Sequence, residues 1–327
     1  MRIAGILAAS TLCFGTHLAA QEAGTAENFP SKPVHIIVPF PPGGGVDTII
    51  RAVAAGLDTK WGQRVVVENK LGAASVIGAQ AVAGAPADGY TLLATINQTV
   101  TSNRFLFKNL PYDPDKDFAP VSLMTSSDQM LLVNAKVPVN SLRDLVEQAP
   151  AKNPPFAFGS FGNGSQPHLL YETLKHNKGI DLIHVPYKGV APMLTGLAGG
   201  EIQFGVGSAN VAGPLIEAGR IRPIAIAGEH RSPVFPDVPT TTEAGYPDLQ
   251  AQVWYALFAP GGTPRPIVGK ISEDVADILK NPEFIAQYLA PRGLNLVAGG
   301  PDALAEAIQK DVRLTQAMVQ AAGVKPE

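Results

Sequence analysis

Beyond residue 30, short apolar runs alternate with stretches whose apolar positions recur at helical spacing. His35-Ile36-Ile37-Val38 reads as a buried parallel strand, since a strand covered on both faces has no polar side to show. Residues 46–57 place Val46, Ile49, Ile50, Val53, Ala54 and Leu57 on one face of a helix that Trp61-Gly62 stops. Val65-Val66-Val67 predicts the next strand, a second helix follows Leu71-Gly72, and Thr91-Leu92-Leu93-Ala94 predicts a third strand. A charged loop at 113–117 precedes two strand candidates, 118–124 and 130–134. Ser141 with Asp144 forms a capping-box start for a helix over 142–148. Phe156-Ala157-Phe158 is a strand, and the helix after it carries Leu169, Leu170 and Leu174. Strands are predicted at 183–185, 202–206, 221–227 and 253–258, with short helices at 191–197 and near 214–218. Three closing helices open at Pro264, Pro282 and Pro301, each proline suited to a first turn. Such alternation is the pattern of a wound α/β sheet.

Two junctions share the order strand, glycine-rich turn, helix. VHIIVPFPPGGGVD at 34–47 holds Pro41, Pro42, Gly43, Gly44 and Gly45 and no basic residue. GSFGNGS at 159–165 opens a second helix in the same way. Glycine turns let backbone N–H groups approach a ligand closely, and the helix N-terminus behind them favours negative charge. An anion site is expected at the first turn, and two such units would aim two helix N-termini at one cleft.

Composition narrows the class. The 327 residues are 46% hydrophobic and 16% charged, enough chain for two domains. A formal charge of −3 argues against nucleic acid, which needs a basic face to neutralise phosphates. Beyond residue 20 there is no 18-residue apolar run, so no membrane span is expected there. Residues 1–20 read as a secretory signal peptide: Arg2, an apolar stretch over 3–15, then small residues before Gln21. Periplasmic localisation follows as an expectation. Cys13 is the only cysteine and lies in that segment, after a Leu12 too large for lipoprotein cleavage. The exported chain would have no disulfide and would depend on its core alone.

PSKPVHIIVPFPPGGGVD, followed in order by WGQRVVVENKLGAAS, DGYTLL, YDPDKDFAPVS, GNGSQPHL, VPYKGVAPML and GGTPRP, resembles the Bug family of extracytoplasmic solute receptors. These serve tripartite tricarboxylate transport systems, and the matches run from about Pro30 to Pro266. The resemblance implies a periplasmic binding protein type II-like fold. Two α/β lobes, 29–128 plus 253–327 and 129–252, would be joined by two crossover strands with a ligand cleft between them. It implies a small carboxylate ligand, the membrane subunits of a tripartite transporter as partners, and a monomer. A sensing component for a signalling receptor would use the same fold and site, and is carried as the alternative.

The resemblance maps Phe40, Gly43 and Gly44 as contacts to a ligand carboxylate; a plain tight turn is the bland alternative. Asp47 reads as a helix-start residue rather than a contact. Asn97 and Thr99 follow the third strand, where parallel sheets line ligand crevices, although either residue type also caps turns. Ser160, Gly164 and Ser165 match the family's Ser-x-Gly-x-Gly-Ser turn, and Ser165 suits an N-cap as well. Tyr187 stands at a strand end, beside a Lys188 that reads as a solvated surface residue. Gly207 and Ser208 complete the set. Many relatives carry Asp at the position of Gly207, so a partner for a ligand ammonium is missing and carboxylates without an amine are expected. Phe161 stands where the family often has Ala or Ser, and sequence leaves its direction open.

No enzyme is expected. Ser160 and His168 lack both a Gly-x-Ser-x-Gly elbow and a clear triad acid. His35, His168, His176, His184 and His230 are scattered, with no HExxH, so no metal is expected. The Gly-x-Gly-x-x-Gly fingerprint is missing too, and no cofactor is expected.

Overall fold

Three parallel strands start the sheet. β1 (Val34–Val38) pairs with β2 (Val65–Asn69) on one side and β3 (Thr91–Ile96) on the other. α1 (Gly45–Trp61) and α2 (Val76–Ala83) make the crossovers. α1 buries the six apolar residues its spacing singles out. The computed structural model describes residues 28–228, 230–232 and 234–326, so the signal peptide expected at 1–20 lies outside the described residues. After β3 come two one-turn helices, α3 (Asn97–Val100) and α4 (Asn103–Leu106). Ala73, Ala74 and Ser75, just before α2, have φ of 46°, 51° and 77°. That left-handed stretch is why α2 starts later than Leu71-Gly72 alone suggests.

The two strand candidates at 118–124 and 130–134 are a single 17-residue strand, β4 (Phe118–Asn134). β4 is the spine of the molecule. Its residues 118–128 pair antiparallel with β9 (Gln252–Pro260), and from Gln129 onward it pairs with β7 (Phe204–Ser208) and β8 (Ile221–Ile226). The changeover falls between Asp128, opposite Gln252, and Gln129, opposite Ser208. In the second half, β5 (Ala157–Ser160) lies parallel to β6 (Ile183–Pro186) and β7. α5 (Leu142–Gln148), α6 (Gln166–Lys178), α7 (Val190–Gly199) and α8 (Ala209–Glu217) connect these strands. The ten-stranded sheet runs β2-β1-β3-β9-β4-β7-β5-β6, with β8 and β10 (Asn295–Gly299) also on β4. β10 is a strand the apolar pattern does not predict.

Buried apolar side chains segregate with the two halves. One set joins α1 and β1 to α9 (Arg265–Leu279); another joins β5 and α6 to the outer part of β4. The helix expected at Pro282 is short: α10 (Pro282–Phe284) passes into a π-turn over Ile285–Leu289. α11 (Pro301–Ala322) crosses both halves, with Leu304 in the first half's core and Met318 in the second's. Among the described residues no helix is long and apolar enough to cross a membrane.

Candidate functional site

The first glycine turn is held by its own carboxylate. Asp47, almost fully buried, accepts hydrogen bonds from the Gly43 amide at 2.8 Å, from Asn69 Nδ2 at 2.8 Å and from Arg51 Nε at 3.0 Å. Burial works to raise its pKa, but these donors outweigh burial and hold the carboxyl below its ordinary value. The Gly44 amide donates to Pro41 O at 3.3 Å, and Phe40 O accepts from Asn69 Nδ2 at 2.9 Å. The amides of Gly43 and Gly44 are therefore engaged within the turn. Free donors lie one step further on. The first intrahelical bond of α1 is Thr48 N–H to Gly44 O, and no side chain caps the helix. The N–H groups of Gly45, Val46 and Asp47 consequently lack helical acceptors.

Tyr255 of β9 joins that end of α1. A Cβ on Gly45 would collide with the Tyr255 hydroxyl, so only glycine lets the phenol come this close. The ring is buried, and burial pushes the phenol up to about 12, which keeps it a hydrogen-bond donor. No described side chain or backbone group pairs with it. Sequence reasoning missed Tyr255 because it sits inside an apolar run and signals only a strand.

In the second half, β5 leads into the turn 160–165 and α6. Ser160 is fully buried, its Oγ lying 2.6 Å from His184 Nε2 and accepting the Gly162 amide at 3.2 Å. Gly164 N–H donates to His168 Nδ1 at 2.9 Å, and the Ser165 hydroxyl donates to Gly162 O at 2.6 Å. Ser165 is the N-cap residue of α6 but makes no side-chain cap bond. Ser160, Gly164 and Ser165 thus brace the turn through bonds within it and to the two histidines. What α6 presents is its own uncapped first turn, the first helical bond being Leu169 N–H to Ser165 O.

The two halves meet here. Gly164, at φ +70°, is covered by Leu106 of α4 so closely that a Cβ would clash with it. Gln252 O, at the start of β9, accepts from Asn97 Nδ2 at 2.9 Å and from Gln166 Nε2 at 3.2 Å, one donor from each half. A cavity of about 40 Å³ lies between them, lined by Asn97, Gln98, Phe161, Gln166, Val253 and Asp311 among others. Val253 borders this cavity while Tyr255 abuts α1. Residues two apart share a strand face about 7 Å apart, so both glycine turns sit over one stretch of β9. Phe161, whose direction the sequence left open, lines the cavity.

The remaining expected contacts divide. Asn97 borders the cavity, with its amide committed to Gln252 O and Asp311 Oδ2. Thr99 does not face it: fully buried, its hydroxyl bonds Ser75 Oγ at 2.7 Å and Thr95 Oγ1 at 2.6 Å. Tyr187 is turned toward α7, its hydroxyl 3.3 Å from Glu201 Oε2. A Cβ at Gly207 would meet Leu132, Leu194 and Val211, an apolar environment. Ser208 is the N-cap residue of α8, its hydroxyl donating to Asn210 Oδ1. Among the described residues no three His, Cys, Asp or Glu side chains cluster as metal ligands.

Comparison with known proteins agrees with this architecture. The chain is 34% identical over 302 residues to protein BugT of Bordetella pertussis, covering 92% of each chain. A Rhodopseudomonas palustris protein solved with adipate superposes with a TM-score of 0.81 at 33% identity, over 92% of this chain and 100% of that one. MatC of Rhodopseudomonas palustris, solved with bound malate, gives 0.76 at 33% identity, over 89% and 100%. Family and fold are those of a solute-binding receptor, not of an enzyme. The sequence profile of the tripartite tricarboxylate transporter family receptor, TctC, matches residues 49–324, and the chain belongs to that family.

Proposed function

We propose that this protein is a periplasmic receptor that captures a small amine-free carboxylate between two lobes and hands it to the membrane subunits of a tripartite tricarboxylate transporter. Residues 29–128 plus 253–327 form one lobe and 129–252 the other, after loss of a signal peptide at 1–20. The observation that carries the reading is the first turn of α1, where uncapped amides and the unpartnered Tyr255 hydroxyl converge. The related proteins solved with malate and adipate support a carboxylate as the anion.

Each hydrogen bond to an ionised acceptor contributes about 1.5–3 kcal/mol, so three from α1 and Tyr255 supply roughly 5–9. Association costs of about 4–15 kcal/mol oppose this, and micromolar affinity needs a net of about 8. One helix end is too weak alone; the α6 turn and the apolar Phe161 and Val253 must close on the ligand as well. Binding thereby favours the closed form, the state the membrane subunits would recognise. Phe161 and the apolar surroundings of Gly207 support a ligand with an apolar body and no ammonium group.

The test is a thermal-shift screen followed by calorimetry on the chain lacking residues 1–20. Malate, adipate, tricarballylate and benzoate would be compared with aspartate and glutamate. Saturable binding of one or more of the amine-free acids is expected. Failure of every carboxylate, or preference for the amino acids, would overturn the proposal.

A further inference from the structure

Two histidines distant in sequence are stacked behind the second glycine turn. His168, in the first turn of α6, and His184, on β6, lie with ring centroids 3.9 Å apart and planes inclined by 13°. Phe158 of β5 also stacks on His184, at 5.0 Å and 22°. Both imidazoles grip the turn. His168 Nδ1 receives the Gly164 N–H at 2.9 Å, and His184 Nε2 lies 2.6 Å from Ser160 Oγ. A backbone amide can only donate, so Nδ1 of His168 must carry its lone pair and Nε2 the hydrogen.

We infer that the stacked, neutral His168–His184 pair positions the anion-binding turn of the second half, and that ligand is released when the pair takes up a proton. The inference rests on the carboxylate-receptor reading of that turn. In neutral His168 the Nε2 site is already filled, so an added proton must go to Nδ1. There it would face the Gly164 N–H donor to donor. That bond must break, and Gly164 has little room to move because Leu106 covers it. A cation on one ring would also stand 3.9 Å from the other, which excludes charging both.

The surroundings keep the pair neutral. Burial lowers the pKa of His168, and burial followed by the neighbouring His168 pushes His184 down to about 4. Glu172 and Lys175 of α6 are the charged groups acting on His168, and they pair with each other at 2.9 Å. Lys175 acts on His184 as well. β5 faces the pair with Phe158 and Ser160, neither charged, and α11 contributes the apolar Leu314 and Met318 to the core beneath α6.

The sign follows from linkage. A histidine whose folded pKa lies below its ordinary 6.5 stays neutral in the fold while the unfolded chain charges. The braced turn is intact above 6.5 and fails as the pH falls through the lowered folded value of His168.

Histidine nitrogen NMR and amide exchange on the ligand-free wild-type chain read the pair directly. The Nε2–H tautomer of His168 is expected, with a Gly164 amide protected above pH 6.5 that loses protection as His168 takes up its proton at a lower pH. An Nδ1–H tautomer, or a Gly164 amide that exchanges freely at every pH, would overturn the inference. Calorimetry with malate and adipate reads its consequence in His168→Asn, where Oδ1 replaces Nδ1 with an acceptor that does not titrate. The variant should bind within about threefold of wild type at neutral pH and about tenfold more tightly than wild type one pH unit below the folded His168 pKa that the NMR titration reads. Taking this ratio at each pH cancels the ligand's own protonation. A ratio that does not change with pH overturns the role in release. Absence of carboxylate binding by wild type would instead count against the proposed function, while the NMR still decides whether the pair is as described.

Discussion

Asp47 and Tyr255 divide the work at the first turn. Asp47 occupies the Gly43 amide and fixes the loop; Tyr255 and the α1 amides are the donors that the proposed carboxylate would meet. The two residues should therefore fail differently. Tyr255→Phe removes one donor but keeps the ring that packs under Gly45. Calorimetry should show carboxylate affinity falling about tenfold or more, with the melting temperature nearly unchanged. Equal affinity would show that the phenol does not touch the ligand. Asp47→Asn, by contrast, leaves Arg51 and the turn without their anion and should cost on the order of 2 kcal/mol of stability. The pH dependence follows from the lowered pKa of Asp47: its contribution is complete above the ordinary 3.8 and is lost as the pH falls through the lower folded value. Acid unfolding curves of wild type and variant should converge there, and curves that stay parallel would count against the assignment.

At the scale of elements, α4 and the second glycine turn form a close contact between the halves. Gly164→Ala imposes two separate costs, a clash with Leu106 and a left-handed conformation worth about 1–2 kcal/mol for any residue with a Cβ. Adding Leu106→Ala should recover the first and not the second. Small-angle scattering is expected to show an expanded molecule for the single variant and a compact one for the double. If both are equally compact, the contact does not hold the halves together. The elements differ in how plainly sequence announces them. α1 is legible because its apolar residues face one core. β4 reads as two strands because Thr125, Ser126, Ser127 and Gln129 interrupt its apolar pattern, yet all are buried where the sheet changes partners. β10 escapes notice because Leu296 and Val297 are exposed on it. For the site, a glycine turn before a helix is a local signal and was legible. Which amides the two turns consume depends on Asp47 and His168 folding back onto them, and the position of Tyr255 depends on β9 crossing beneath α1. Neither relation has a local period to read.

Across the whole molecule, α11 is the element that both halves share. Its 22 residues span about 33 Å, and Asp311 lies near its middle, beside the cavity. Asp311 Oδ2 accepts from Asn97 Nδ2 at 2.9 Å and from Thr101 Oγ1 at 3.0 Å. Burial nevertheless raises its pKa above the ordinary value, the two donors offsetting only part of that. The folded chain thus holds this proton more tightly than the unfolded chain, and stability falls as the pH rises through the raised value. Asp311 is therefore a cost at neutral pH at the crossing between the halves, and it stands beside the cavity of the proposed carboxylate site. Asp311→Asn keeps an acceptor for Asn97 and Thr101 and removes the titratable group. Its melting temperature should exceed that of wild type by about 2 °C or more at neutral pH. The difference should vanish below 3.8, where both forms are uncharged. A lower melting temperature at neutral pH would mean that the carboxylate's hydrogen bonds outweigh its burial, and that α11 is anchored by Asp311 rather than opposed by it.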